Sequence, residues 1–140
     1  MSTHDHVRVL RERASKFLQY SIEALERGEY DLSCFFAEQA VQLRLKSLIL
    51  RIYGSLPRTH SMREILGILS DALDKLGYPE VEEIRRFVRE NRSSLRLLED
   101  AYTGGRYLLT GYSRLDSEEC INIARRIIDM VDKIEREVFS

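Results

Sequence analysis

Apolar residues recur every three or four positions along almost the whole chain, and no segment alternates at the two-residue period of an exposed strand. That period restricts the chain to helices packed on helices, and five are expected, arranged as an antiparallel all-α bundle. The first, from about Asp5 to Arg27, places Val7, Leu10, Ala14, Phe17, Leu18, Ile22 and Leu25 along one face and stops at Gly28. The second is opened by Asp31 as its cap and runs to about Tyr53. Its apolar residues, from Phe35 and Phe36 to Leu48, Ile49 and Ile52, spread over most of the circumference, which makes it the central, buried helix.

Gly54, Pro57 and Thr59 form the next loop, and Ser61 followed by Glu64 has the spacing of a capping box at the start of the third helix. Met62, Ile65, Leu66, Leu69, Leu73 and Leu76 face its core side, and Gly77 ends it. Pro79 is tolerated in the first turn of a fourth helix that runs to about Tyr102. The stretch from Thr103 to Leu115 has three glycines and no sustained period, so it reads as the longest loop. Asp116 reopens a fifth helix, with a stripe from Ile121 to Val138 continuous enough to serve a second protomer as well as its own core.

With 140 residues, no internal repeat and no polar linker, residues 1–140 are expected to form one domain, long enough to bury roughly 70% of its unfolded surface. A net charge of -1 names no partner. The cations are nevertheless uneven, 18 arginines against Lys16, Lys46, Lys75 and Lys133, and arginine is the better bidentate phosphate ligand. Base composition of the genome or a heat-adapted surface gives the same skew, so position has to decide.

Cys34 and Cys120 stand alone in helical pattern and suggest neither a thiol metal site nor a disulfide framework. The start of the chain lacks the basic and apolar blocks of a signal peptide, and no apolar run approaches a membrane span. A cytoplasmic protein with no membrane contact is expected.

The most distinctive local feature is Arg85, Arg89, Arg92 and Arg96, which at 100° per residue fall within an arc of roughly 60° on one helix. Val81, Ile84, Val88, Leu95 and Leu98 occupy the adjoining face, so the arginines border the core and form a ridge suited to phosphates. The competing reading pairs them with Glu82, Glu83, Glu90 and Glu99, or with acidic residues of a neighbouring helix, in ordinary surface ion pairs. Arg106, Tyr107 and Tyr112 add a cationic and aromatic cluster able to stack a base, or else close the core. His60, just before the capped third helix, is expected to fix its loop by hydrogen bonding and is a possible auxiliary to the site. His4 and His6 do not share a helical face, no third ligand is visible, and no metal site or cofactor is expected. Adjacent carboxylates point apart on a helix, and no nucleophile elbow or glycine-rich phosphate loop occurs, so motifs alone give no catalysis.

The order Gly28-Glu29-Tyr30, Phe35-Phe36-Ala37-Glu38-Gln39-Ala40-Val41, Lys46-Ser47-Leu48, Thr59-His60-Ser61-Met62, Ala101-Tyr102 and Gly105-Arg106-Tyr107 resembles the HEPN domain, the higher eukaryotes and prokaryotes nucleotide-binding family. The resemblance covers nearly the whole chain. It implies a small helical bundle, usually a homodimer, often encoded beside a minimal nucleotidyltransferase with which it forms a toxin-antitoxin-like pair. Many members are metal-independent ribonucleases, in which an Arg followed four to six residues later by a His faces the dimer groove and cleaves RNA with the neighbouring 2′-hydroxyl. Arg106 matches that Arg, but Thr110, Gly111 and Tyr112 stand where the His belongs. A tyrosine, with an ordinary pKa of about 10, is a poor general base at neutral pH.

The resulting expectation is a non-catalytic HEPN homodimer. Arg85, Arg89, Arg92, Arg96, Arg106, Tyr107 and Tyr112 bind nucleotide or single-stranded RNA, and a nucleotidyltransferase docks as partner. The alternatives are an RNA endonuclease with an altered Arg-His motif and a structural assembly module.

Overall fold

The structure, a computed structural model, describes residues 2–107 and 111–140, with the side chains of residues 104–107 outside the description. Among the described residues every regular element is a helix: α1 Thr3–Glu26, α2 Tyr30–Tyr53, α3 Met62–Lys75, α4 Val81–Glu90, α5 Arg92–Tyr107 and α6 Arg114–Val138. Six helices replace the expected five because the long fourth one breaks at Asn91, whose backbone leaves the helical region at φ -127° and ψ 31°. The Asn91 side chain holds the break, donating to the Phe87 carbonyl at 2.9 Å and accepting from Arg126 of α6 at 2.9 Å. The expected long loop is also shorter. α5 continues through Gly104 and Gly105 to Tyr107, and α6 starts at Arg114 behind a Ser113–Asp116 capping box. Each glycine inside a helix costs about 1 kcal/mol relative to alanine. Packing of Leu95, Leu98 and Ala101 against the core holds α5 in spite of that cost.

α2 is the central helix, packed against α1, α3, α5 and α6. Cys34, Ala37, Val41, Leu45, Leu48 and Ile49 are buried on it, against Met62, Ile65, Leu66, Leu69 and Leu73 of α3 and Ile123, Ala124, Ile127, Val131 and Ile134 of α6. The apolar stripe of α6 is thus taken up inside its own chain. Facing pairs give the directions. Phe17 meets Phe36 and Ser21 meets Ser33, so α1 and α2 are antiparallel. Ser33 meets Ser117 and Arg44 meets Glu135, so α2 and α6 run parallel, a departure from the all-antiparallel expectation.

Small hydroxyl residues let three helices approach closely. Ser21 donates to the Ser33 carbonyl at 2.6 Å, Ser33 returns a bond to the Ser21 carbonyl at 2.8 Å, and Ser117 donates to the Ser33 hydroxyl at 2.5 Å. All three are fully buried, and each hydroxyl is satisfied where an unpaired one would cost about 1 to 3 kcal/mol. Cys34 and Cys120 meet in the same core, and the hydrogen bond between them, with burial, pushes the Cys120 thiol far up and keeps it protonated.

Candidate functional site

The helix break divides the arginine stripe. Arg85, on α4, lies 3.1 Å from Glu82 and 3.5 Å from Asp74 of α3, so carboxylates already occupy it. Arg89, Arg92 and Arg96 are exposed and make no ion pair among the described residues. Arg92 and Arg96 line a hollow of about 350 Å³ whose apolar floor is Val88 and Leu95, and Arg63 of α3 stands on its rim. Arg63 escaped the sequence reading because it belongs to another helix and no local period links it to the stripe. Two unpaired guanidinium groups, Arg92 and Arg96, can hold phosphate oxygens while their stems cover the apolar floor, with Arg63 on the rim already engaged by Glu99.

Glu99 of α5 ties this hollow to the start of α3. One of its oxygens accepts from the Ser61 hydroxyl at 2.8 Å and from the Arg63 amide at 3.4 Å, and the other lies 3.4 Å from Arg63 Nε. Ser61 caps α3 by accepting from the Glu64 amide at 3.4 Å. The return arm of the expected capping box is absent. Glu64 instead receives the Thr59 hydroxyl, and the Ser61 amide donates to Thr59 at 3.1 Å. Asp31 likewise does not cap α2. Its carboxylate accepts from the Tyr112 amide at 2.9 Å and so fastens the start of the α6 approach to the α1–α2 turn.

His60 lies on the other side of Ser61. Its ring stacks on Tyr102 of α5, with centroids 5.4 Å apart and planes 13° from parallel. Its Nδ1 is 3.3 Å from both Gln42 Oε1 and Lys46 Nζ. One ring nitrogen cannot donate to the amide oxygen and accept from the ammonium at once, so the tautomer selects one of the two contacts. Gln42 also donates to the His60 carbonyl at 3.0 Å, so the loop is held through the backbone of His60, where the sequence pointed to its ring. His60 and Tyr112 line one cavity of about 720 Å³, together with Glu99, Asp100, Tyr102 and Asp116. Arg106 and Tyr107 end α5, but their side chains lie outside the described residues.

Behind Gln42 is Glu38, a carboxylate with no exposed surface. Burial pushes its pKa up from 4.5 to about 7, although hydrogen bonds from Gln42 and Gln39 and the charge of Lys46 act in the opposite direction. Burial also lowers the pKa of Lys46, partly offset by Glu38. This chain of Glu38, Gln42, His60 and Lys46 was not assembled from the sequence. Its one available signal was a carboxylate inside the apolar run from Phe35 to Val41 of a helix buried on most sides. Among the described residues no group of three His, Cys, Asp or Glu side chains is placed to hold a metal, and no helix is long and apolar enough to cross a membrane.

A buried central helix, four helices packed on it and a basic rim built from α3, α4 and α5 define a small helical domain. The chain belongs to the HEPN family, since the family model of the HEPN domain matches residues 7–134, in agreement with the motif order in the sequence. Among solved structures it is similar to TT1696 from Thermus thermophilus, at 28% identity and a TM-score of 0.69, over 91% of this chain and 96% of that one. It is also similar to ST0689, an archaeal HEPN homologue, at 25% identity and a TM-score of 0.61, over 95% of this chain and 97% of that one. No curated protein matches significantly.

Proposed function

We propose that this HEPN protein is a non-catalytic homodimer that binds the phosphates of a nucleotide or single-stranded RNA and pairs with a minimal nucleotidyltransferase in a toxin-antitoxin-like module. The observation that carries the binding is the set of exposed, carboxylate-free Arg89, Arg92 and Arg96 beside the hollow that Arg63 completes. An arginine already paired with carboxylates is the weaker phosphate ligand; of the stripe only Arg85 is so paired, and Arg63 on the rim is shared with Glu99. Binding without cleavage follows from Thr110, Gly111 and Tyr112 standing where the nuclease His is expected after Arg106. Tyr112 is also held by its amide on Asp31, away from the arginine hollow.

The test is an end-labelled single-stranded RNA titrated with the protein and followed by fluorescence anisotropy, with the same samples run on a denaturing gel. Salt-sensitive binding of intact RNA is expected. Specific cleavage abolished by Arg106→Ala replaces this reading with a ribonuclease, and no binding at low salt removes the nucleic-acid ligand. For the partner, a nucleotidyltransferase reading frame beside this one and co-purification of the two products are expected.

A further inference from the structure

One aromatic cluster lies outside the core. Phe17 and Tyr20 of α1 meet Phe36 of α2 at ring-centroid distances of 6.0 and 6.1 Å, and Phe35 follows at 5.9 Å from Phe36. Tyr20 keeps 43% of its surface exposed and the neighbouring Leu32 37%, while the three phenylalanines are half-buried. Along α1, Leu10, Arg13, Phe17, Tyr20, Ala24 and Arg27 fall within an arc of about 100° centred on these rings. Their spacing is that of the a and d positions of a heptad seam. The inner edge of the seam is closed by α2, so only the outer edge can carry charged contacts to another molecule. On that edge stand Lys16 and Glu23, one heptad apart, and neither has an ion-pair partner among the described residues.

We propose that this face binds a second copy of the chain, α1 lying antiparallel to α1 about a two-fold axis between Phe17 and Tyr20. The inference rests on the homodimer reading and assigns its surface. Reversing one helix about that axis sets Phe17 of one protomer against Tyr20 of its partner, in two equivalent layers. In the same register Lys16 of each protomer lies within about 3 Å of axial rise from Glu23 of the other, so two identical ion pairs flank the rings. On that outer edge the base, Lys16, precedes the rings and the acid, Glu23, follows them, an order that sets opposite charges together in a reversed copy. α1 also meets α2 antiparallel, so Phe36 of each protomer flanks the two ring layers from its own α2.

The experiment measures dimer dissociation by sedimentation equilibrium at low salt for the wild type, Lys16→Glu, Glu23→Lys and the double exchange. Each single exchange turns two attractions into two repulsions and is expected to weaken the dimer about tenfold or more. The double exchange restores opposite charges and is expected to return the affinity to within about threefold. Circular dichroism should be unchanged, since both positions lie at the helix surface. A wild-type dimer indifferent to the single exchanges, or not rescued by the double one, overturns this face and leaves the dimer reading intact. A wild-type monomer at tens of micromolar overturns both.

Discussion

Arg44 of α2 and Glu135 of α6 meet at 2.6 Å with 3% and 5% of their side-chain surfaces exposed. Arg44 is also 2.8 Å from Asp132 and donates to Ser47 at 2.9 Å, while Glu135 receives Arg51 at 2.6 Å and stands 3.6 Å from Arg11. The network joins α1, α2 and α6 at the floor of a cleft of about 540 Å³. Parallel α2 and α6 bring these residues together from positions far apart in the sequence.

Removing Arg44 leaves two carboxylates facing a site built for a guanidinium. Arg51 and Arg11 still serve Glu135, so the loss belongs near the lower end of what breaking a buried pair costs. Arg44→Met should lower stability by about 3 kcal/mol, read as a lower midpoint in urea denaturation. A loss below about 1 kcal/mol would mean that the cleft hydrates the pair.

Glu38 and Glu135 give stability opposite dependences on pH. Burial opposes the charged form of Glu135, but hydrogen bonds from Arg51 and Arg44 and the charges of Arg44 and Arg11 outweigh it and hold its pKa below 4.5. Its contribution is present above the unfolded value and is lost as pH falls through the folded one. Glu38 has its pKa raised from 4.5 to about 7, so its contribution is full below pH 4.5 and lost as pH rises through 7. Stability should therefore peak at mildly acidic pH. Glu38→Gln should flatten the decline toward pH 8, a change on the order of 3 kcal/mol at most. Urea denaturation at several pH values reads this, and an equal decline in the variant would show that another group titrates.

The elements were largely legible because helix stops are local. Gly28, Gly54 and Gly77 each adopt the left-handed conformation, at φ 75°, 76° and 78°, that makes glycine a terminator. Where a boundary depended on tertiary contacts the reading failed. Ile84, Val88, Leu95 and Leu98 continue the apolar period across Asn91, so the break that Arg126 of α6 stabilises has no local signature. Gly104 and Gly105 looked like a helix end, although α5 passes through them.

The candidate site was legible as a one-dimensional pattern and not as a place. The period identified Arg85, Arg89, Arg92 and Arg96, but it could not assign Asp74 to Arg85 or bring Arg63 from α3. His60 was found by its position before the Ser61 cap. Its contacts with Gln42, Lys46 and Tyr102 come from two other helices.

Asn91 offers a test of the break itself. Asn91→Ala removes a bond to the Phe87 carbonyl and one from Arg126, while alanine favours the helix by less than about 1 kcal/mol. A net loss of about 1 kcal/mol is expected in urea denaturation, from two partly exposed bonds against that propensity gain. A more stable variant would show that the break is set by the packing of α4 and α5 rather than by Asn91.

The divided stripe separates two kinds of arginine in one measurement. Arg92 and Arg96 face the hollow without carboxylates, whereas Arg85 is held by Glu82 and Asp74. Glutamine keeps most of the side-chain length and the helix propensity, so Arg92→Gln with Arg96→Gln should leave helical content and unfolding almost unchanged. If both contact phosphates of a single-stranded RNA, the slope of log affinity against log salt becomes shallower by roughly 1.4 units, at about 0.7 per contact. Arg85→Gln should move that slope by much less than one contact's worth, because two carboxylates already neutralise its charge. Equal changes in the two variants would mean that RNA reads the whole stripe by net charge. No change in either would return these arginines to a solvated surface and move the search for the ligand to the cavity shared by His60 and Tyr112.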